Sequence, residues 1–202
     1  MANTSSINGA RPVKHLNGSP YNGAANIYYV ASAGDEIFLN DVVKLAGSAD
    51  ANGIASVDLV TATDVPVGVV VGIMHSKFDP VGKMTTGSTA LDTPSSSRID
   101  QSGAAYVLVA DSPDLVMEVE TSNGDYAAVD TGLNVSPALG TRTAGVYCSP
   151  LTVDMGTEST TNSLMFKILG LSPRVGNEIA TSAKLLVMFN AHQFGSVGTT
   201  GK

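Results

Sequence analysis

Charge is what this sequence lacks most. Only 14% of its 202 residues are Asp, Glu, Lys or Arg, where soluble domains average about 25%. What charge there is leans acidic: 11 basic residues against 18 acidic ones leave a net −7 and a pI of about 4.7. No run of Lys or Arg occurs, so the chain has neither the basic footprint of sequence-independent nucleic-acid binding nor a polybasic membrane anchor. Long apolar runs are missing too. The longest, 65–74, carries Pro66, Gly68 and Gly72 and falls well short of the ~18–20 residues that cross a bilayer as a helix. The first residues, Met-Ala-Asn-Thr-Ser-Ser, show no basic or apolar region of an export signal, so none is expected. Cys148 is the single cysteine. It cannot form an internal disulfide, which points to synthesis in a reducing cytoplasm. Tryptophan is absent and aromatics make up 5%, which argues against a sugar-stacking cleft.

Hydrophobicity is not lacking: 43% of the residues are apolar, too many for a disordered chain. Residues 1–26 are rich in Asn, Gly and Pro without periodicity and read as an extended arm. From Ile27 the signal is β. Short β-branched or alternating stretches (27–30, 36–39, 42–45, 54–60, 67–73, 105–109, 115–121, 126–129, 164–169 and 184–189) are separated by turn residues, Asn52-Gly53 being the strongest turn signal. Val67–Ile73 is nearly continuous and predicts a strand buried on both faces. In 115–121, Val116, Glu118 and Glu120 alternate with Leu115, Met117 and Val119, so one face reads as half wet. Residues 77–101 form a long Thr-, Ser-, Gly- and Pro-rich loop, and 173–183 is the one stretch with room for a short helix. The expectation is an all-β chain, a β-sandwich or jelly roll or a small β-barrel, with very little helix. Its parts are the arm at 1–26, a β-rich domain at 27–190 and a flexible tail at 191–202.

Patterns that carry chemistry fail on inspection. The tail ends Gly195-Ser-Val-Gly-Thr-Thr-Gly-Lys202, but a phosphate loop needs Gly where Ser196 stands. Asp50-Ala51-Asn52-Gly53 opens like a calcium loop, yet its sixth and twelfth positions are Ala55 and Thr61 rather than Gly and Glu. His15, His75 and His192 lie far apart, without the spacing of zinc ligands. No basic residue or base adjoins Cys148 to activate it. No G-x-S-x-G elbow appears. The sequence thus predicts no catalytic residue, no metal site and no cofactor.

Three stretches share a pattern with known proteins. They are 8–15 (Asn-Gly-Ala-Arg-Pro-Val-Lys-His) running on to Ser19-Pro20-Tyr21, the Gly-Asp…Val-Val-Lys-Leu…Val-Pro-Val-Gly-Val-Val-Val-Gly pattern of 34–72, and 106–120; the closing element 184–193 agrees with them. Together they resemble the capsid cement or decoration proteins of tailed bacteriophages. That resemblance implies a structural role: binding the major capsid protein outside the head at capsomer junctions, as a dimer or trimer, without touching DNA or membrane. It implies location on the virion exterior after synthesis in the bacterial cytoplasm. Another virion component, from tail, fibre or minor head, is the alternative, and a β-sandwich carbohydrate-binding module a further one. Arg11, Lys14, Tyr21, Tyr28 and Tyr29 are the candidate contacts, being of the Arg and Tyr types enriched at interface hot spots; packing on their own domain is the competing role. The loop 77–101 is a second contact candidate.

Overall fold

The structure, a computed structural model, describes residues 3–31, 36–74, 98–99, 105–142, 148–195, 198 and 201. It is built almost wholly of strands, thirteen among the described residues: β1 Arg11–His15, β2 Asn26–Val30, β3 Ile37–Phe38, β4 Val42–Ala49, β5 Ala55–Leu59, β6 Gly68–Met74, β7 Arg98–Ile99, β8 Ala105–Ala110, β9 Leu115–Ser122, β10 Asn134–Ala138, β11 Thr152–Ser159, β12 Phe166–Leu171 and β13 Lys184–Phe189. The expected all-β class and the barrel alternative within it are what the chain adopts. His75 and nearly all of the loop 77–101 lie outside the described residues.

Two barrels form. The first is closed in the order β2-β5-β4-β6-β8. Its hairpin β4–β5 turns at Asn52-Gly53, as the sequence predicts. Gly53 takes φ +83°, and the Asp50 carboxylate accepts the N–H groups of Asn52 and Ile54 at 2.9 and 2.8 Å, which fixes the turn. The second barrel closes through the pairings β9–β11, β11–β10, β10–β12, β12–β13 and β13–β9. Strand β1 adds antiparallel to β9, Arg11 opposite Glu118 and His15 opposite Leu115.

Each barrel has its own core. Val30, Val43, Val57, Val70, Val107 and Val109 fill the first, while Met117, Val119, Phe166, Ile168, Leu185 and Phe189 are central to the second. Five strands enclose a narrow lumen, which valine fills well, and this accounts for the low aromatic content. The two barrels lie side by side. Val42, Val60, Val69 and Ala110 of the first belong to the core of the second, each buried valine contributing roughly 1.5–3 kcal/mol relative to exposure. Strand β6 is therefore covered on both faces, Val70 in the first core and Val69 in the second, as its unbroken apolar run predicts. Gly68 opens this strand because nothing larger fits: a Cβ there would stand 2.4 Å from the Ala110 carbonyl oxygen.

Four stretches differ from expectation. The arm, expected to have little sheet of its own, supplies one five-residue strand, β1. Residues 173–183 form turns instead of a helix, with Gly176 and Ser182 at φ +78° and +53°, values that break a right-handed helix. A single 3-10 turn, Ala128–Asp130, replaces the end of the strand expected at 126–129. The segment expected as a loose tail begins docked. Gln193 donates its N–H to the Pro66 carbonyl (2.9 Å) and accepts from Leu45 N–H (2.8 Å), tying the end of β13 to the first barrel. Beside it His192 is buried between the rings of Phe189 and Phe194, with Nδ1 accepting the Phe194 N–H at 3.0 Å.

Burial lowers the His192 pKa from its ordinary 6.5, against smaller opposing effects of the Val67 backbone and Asp111. The folded state thus holds a neutral ring, while the unfolded chain takes up a proton below about pH 6.5. Stability is then complete above that pH and falls as pH drops below it. Chemical denaturation at about pH 7.5 and 5.5 is expected to show this loss, and the His192→Asn variant a smaller one. Equal pH dependence in both proteins would refute the assignment.

Candidate functional site

Alternation along β9 sends Leu115, Met117 and Val119 into the second barrel and Glu118 and Glu120 outward. Outward glutamates are ordinarily wet. Here they are 7% and 4% exposed, because the N-terminal segment and the strand register bring partners over them. Glu120 stands opposite Lys184 across the β9–β13 ladder, and Glu118 opposite Arg11 across β9–β1, so the pairing of strands sets opposite charges side by side. Lys184 Nζ donates to Glu120 Oε2 and, at 2.7 Å, to the Ser6 carbonyl. Ser5 Oγ donates to Glu120 Oε1 at 2.6 Å, and the Ser6 N–H to Oε2 at 2.8 Å. Burial alone would raise the pKa of Glu120; the bonds from Lys184, Ser5 and Ser6 outweigh it and hold the carboxyl below its ordinary 4.5. Glu118 is equally well met. Arg11 Nη2 and Arg174 Nη1 both reach its Oε1, at 2.9 and 3.0 Å, and Ser172 Oγ donates to Oε2 at 2.5 Å.

The arm is fastened at further points along its length. Asn3 donates to the Glu178 and Thr181 carbonyls, both at 2.9 Å, and accepts the Glu178 N–H. Asn40 donates to the Asn8 carbonyl and its own carbonyl accepts the Ala10 N–H, each at 2.9 Å. Between these points Gly9 has φ +62°, and a Cβ on it would stand 2.5 Å from Ser149 Cβ and 2.6 Å from the Asn40 carbonyl oxygen; only glycine lets the arm pass this close to the body. At the end of β1, His15 Nδ1 meets Asp114 Oδ1 at 3.1 Å. A pocket of about 60 Å³ remains between the arm (Ser6, Asn8 and Gly9) and the charged cluster of Arg11, Glu118 and Arg174. The cluster holds three cations, Arg11, Arg174 and Lys184, to two carboxylates. The Arg11 and Arg174 side chains stay 48% and 49% exposed.

The five candidate contacts do not share one surface. Arg11 and Lys14 lie on β1, and Tyr21 follows, its ring 6.3 Å from that of His15. Tyr21 packs partly against the second core, its hydroxyl donates to the Ala24 carbonyl at 3.1 Å, and burial raises its pKa. Tyr28 is corrected from a contact to a core residue. It is 6% exposed in the first barrel, and its hydroxyl donates to Asp111 Oδ2 at 2.7 Å; burial, and then Asp111, push its pKa far up. Tyr29, one residue on, faces outward and is half-buried, its ring 5.7 Å from that of Tyr106, whose hydroxyl donates to Asp50 at 2.7 Å.

Sequence reasoning missed the cluster itself: Ser5, Ser6, Arg174 and Lys184, with the two glutamates taken for a solvated face. Their only signal was a pair of alternating acids facing a lysine that opens a strand 64 residues later. Among the described residues, no group of three His, Cys, Asp or Glu side chains is placed to hold a metal ion, and no helix is long and apolar enough to cross a membrane. No protein-family model, curated protein or solved structure matches this chain.

Breaking one half of a buried ion pair leaves the other charge stranded, at a cost of about 3–5 kcal/mol. Lys184→Met is expected to lower the unfolding free energy by about that much, and Glu120→Gln combined with it to recover part of the loss. Strict additivity of the two substitutions in urea denaturation would show that the pair is not coupled. In the wild type, the contribution of Glu120 is complete above pH 4.5 and disappears as pH falls through its lower folded value; Glu120→Gln should flatten that acid limb.

Proposed function

We propose that this chain is a structural protein of a tailed-phage virion, a cement protein that binds the outside of the head at capsomer junctions and stabilises it against internal DNA pressure. The observation that carries the reading is the N-terminal segment. Its stretch 8–21, the first to bear the likeness to cement proteins, is held in fixed register on a rigid two-barrel body, with Arg11 and Lys14 on β1 and Tyr21 close by. A pre-ordered strand meets a partner without a large ordering cost, and Arg and Tyr are the residue types that most often anchor interfaces. The low charge of the chain agrees with this, since interface cores are depleted of charge. The major capsid protein is the proposed partner. Each copy would add a modest contact, multiplied within a dimer or trimer by multivalency.

Deleting the arm is a poor test, because removing Ser5, Ser6 and Arg11 would strip the cover from Glu118 and Glu120. Substitution is cleaner. In Arg11→Ala/Lys14→Ala, Glu118 keeps Arg174 and Ser172, so thermal stability should stay close to wild type. Co-sedimentation with expanded heads should weaken at least tenfold, about 1.4 kcal/mol. Undiminished saturation by the variant would remove these residues from the contact. Wild-type protein that ignores heads and attaches to tails would overturn the cement reading itself.

A further inference from the structure

We propose that the pocket beside Glu118 is a receptor for a single protein carboxylate, an Asp or Glu side chain presented by the surface this chain coats. Two guanidinium groups converge there on one oxygen atom, Glu118 Oε1. Each is half exposed and, with five N–H donors in a planar fork, carries more donors than a single bond to Glu118 uses. Glu118 does not neutralise them, because the cluster has three cations to two carboxylates. One further negative charge completes the balance.

Charge and size select the ligand. A dianion such as phosphate would bring a second negative charge against Glu118 and Glu120, both buried in the pocket wall. A carboxylate brings one, and its planar pair of oxygens matches the guanidinium fork. The volume of about 60 Å³ admits the tip of a side chain rather than a whole cofactor. The walls are also held in place. Arg11 is fixed by the β1–β9 ladder. Arg174 donates its own N–H to the Ser172 carbonyl at 2.8 Å and its carbonyl accepts the Asn177 N–H at 3.2 Å, and Ser6, on the far wall, is held by Lys184 and Glu120. Such a site needs little rearrangement to bind. The identity of the partner rests on the cement reading; the carboxylate chemistry does not.

The test uses the full chain, isotopically labelled, with the arginine Nε–Hε signals followed by NMR at constant ionic strength. The probe is a capped Gly-Glu-Gly peptide, with capped Gly-Gln-Gly and inorganic phosphate as comparisons. The Arg11 and Arg174 signals should shift saturably with the glutamate peptide. The glutamine peptide should bind at least fivefold more weakly, and Arg174→Gln should abolish the response with the rest of the spectrum unchanged. If that variant disturbs the fold, Arg174→Lys, which keeps the charge and loses the fork, should still weaken binding. No saturable shift, an equal response to the glutamine peptide, or tighter binding of phosphate would each overturn the proposal. The two readings separate cleanly. Peptide binding without attachment to heads refutes the cement role alone, and attachment without peptide binding refutes the carboxylate pocket alone.

Discussion

A carboxylate can be covered only if the cover brings charge and hydrogen bonds with it, and two such carboxylates on the outer face of β9 organise much of this molecule. Strand β9 is bonded along both edges, to β13 on one side and to β1 and β11 on the other. Its outward side chains therefore sit at the centre of the sheet and not at a rim. Glu120 is satisfied by a lysine from the neighbouring strand and by two serines of the arm; Glu118 by arginines from the arm and from the turn after β12. The arm is thus both a strand and a lid, and its position follows from what it neutralises. Lys184 is the one cation on Glu120, so removing it leaves that buried charge with only the two serines to meet it.

The apolar half of the structure is governed by a different constraint, the narrowness of a five-stranded barrel. Neither lumen has room for many rings, and the stacked pair Phe166 and Phe189, 5.7 Å apart, is an exception in the second core. Valine serves both as barrel filling and as the contact between barrels, so β6 needs no polar face at all. The junction is sealed at its edge by polar contacts of the 192–193 segment with the loop before β6 and with β4. Part of the little charge the chain carries is drawn into buried or half-buried pairs, Arg142 with Asp41 at 2.8 Å among them.

Strand identity was legible wherever a local pattern decided it. The unbroken run 67–73, the Asn-Gly turn and the alternation at 115–121 each act through neighbouring residues, and each appears in the fold. What was not legible depended on residues far apart. Nothing local says that Glu118 and Glu120 will be covered, because the cover comes from residues 5–11 and 172–184. The same holds for Tyr28: composition marks it as a contact residue, but its position on β2, one step from the outward Tyr29, turns it into the first barrel, where Asp111 takes its hydroxyl. The division into two closed rings was hidden for a related reason. Closing the first depends on a single parallel pairing, Tyr29 with Ser56, which no turn signal announces.

The fastening of the arm also has an order in time. Residues 3–15 leave the ribosome long before the groups that hold them, since Lys184 lies 178 positions after Ser6 and synthesis runs from the N-terminus at about 5–20 residues per second. For several seconds the segment has nowhere to dock. A greasy leader would use that interval to find another nascent chain; one that is mostly polar or charged, with Ile7 and Val13 its only large apolar side chains, stays solvated and unattached. The polar character of the arm is therefore suited as much to waiting as to binding, and the lysine that opens β13 holds Ser6 only once most of the described strands exist.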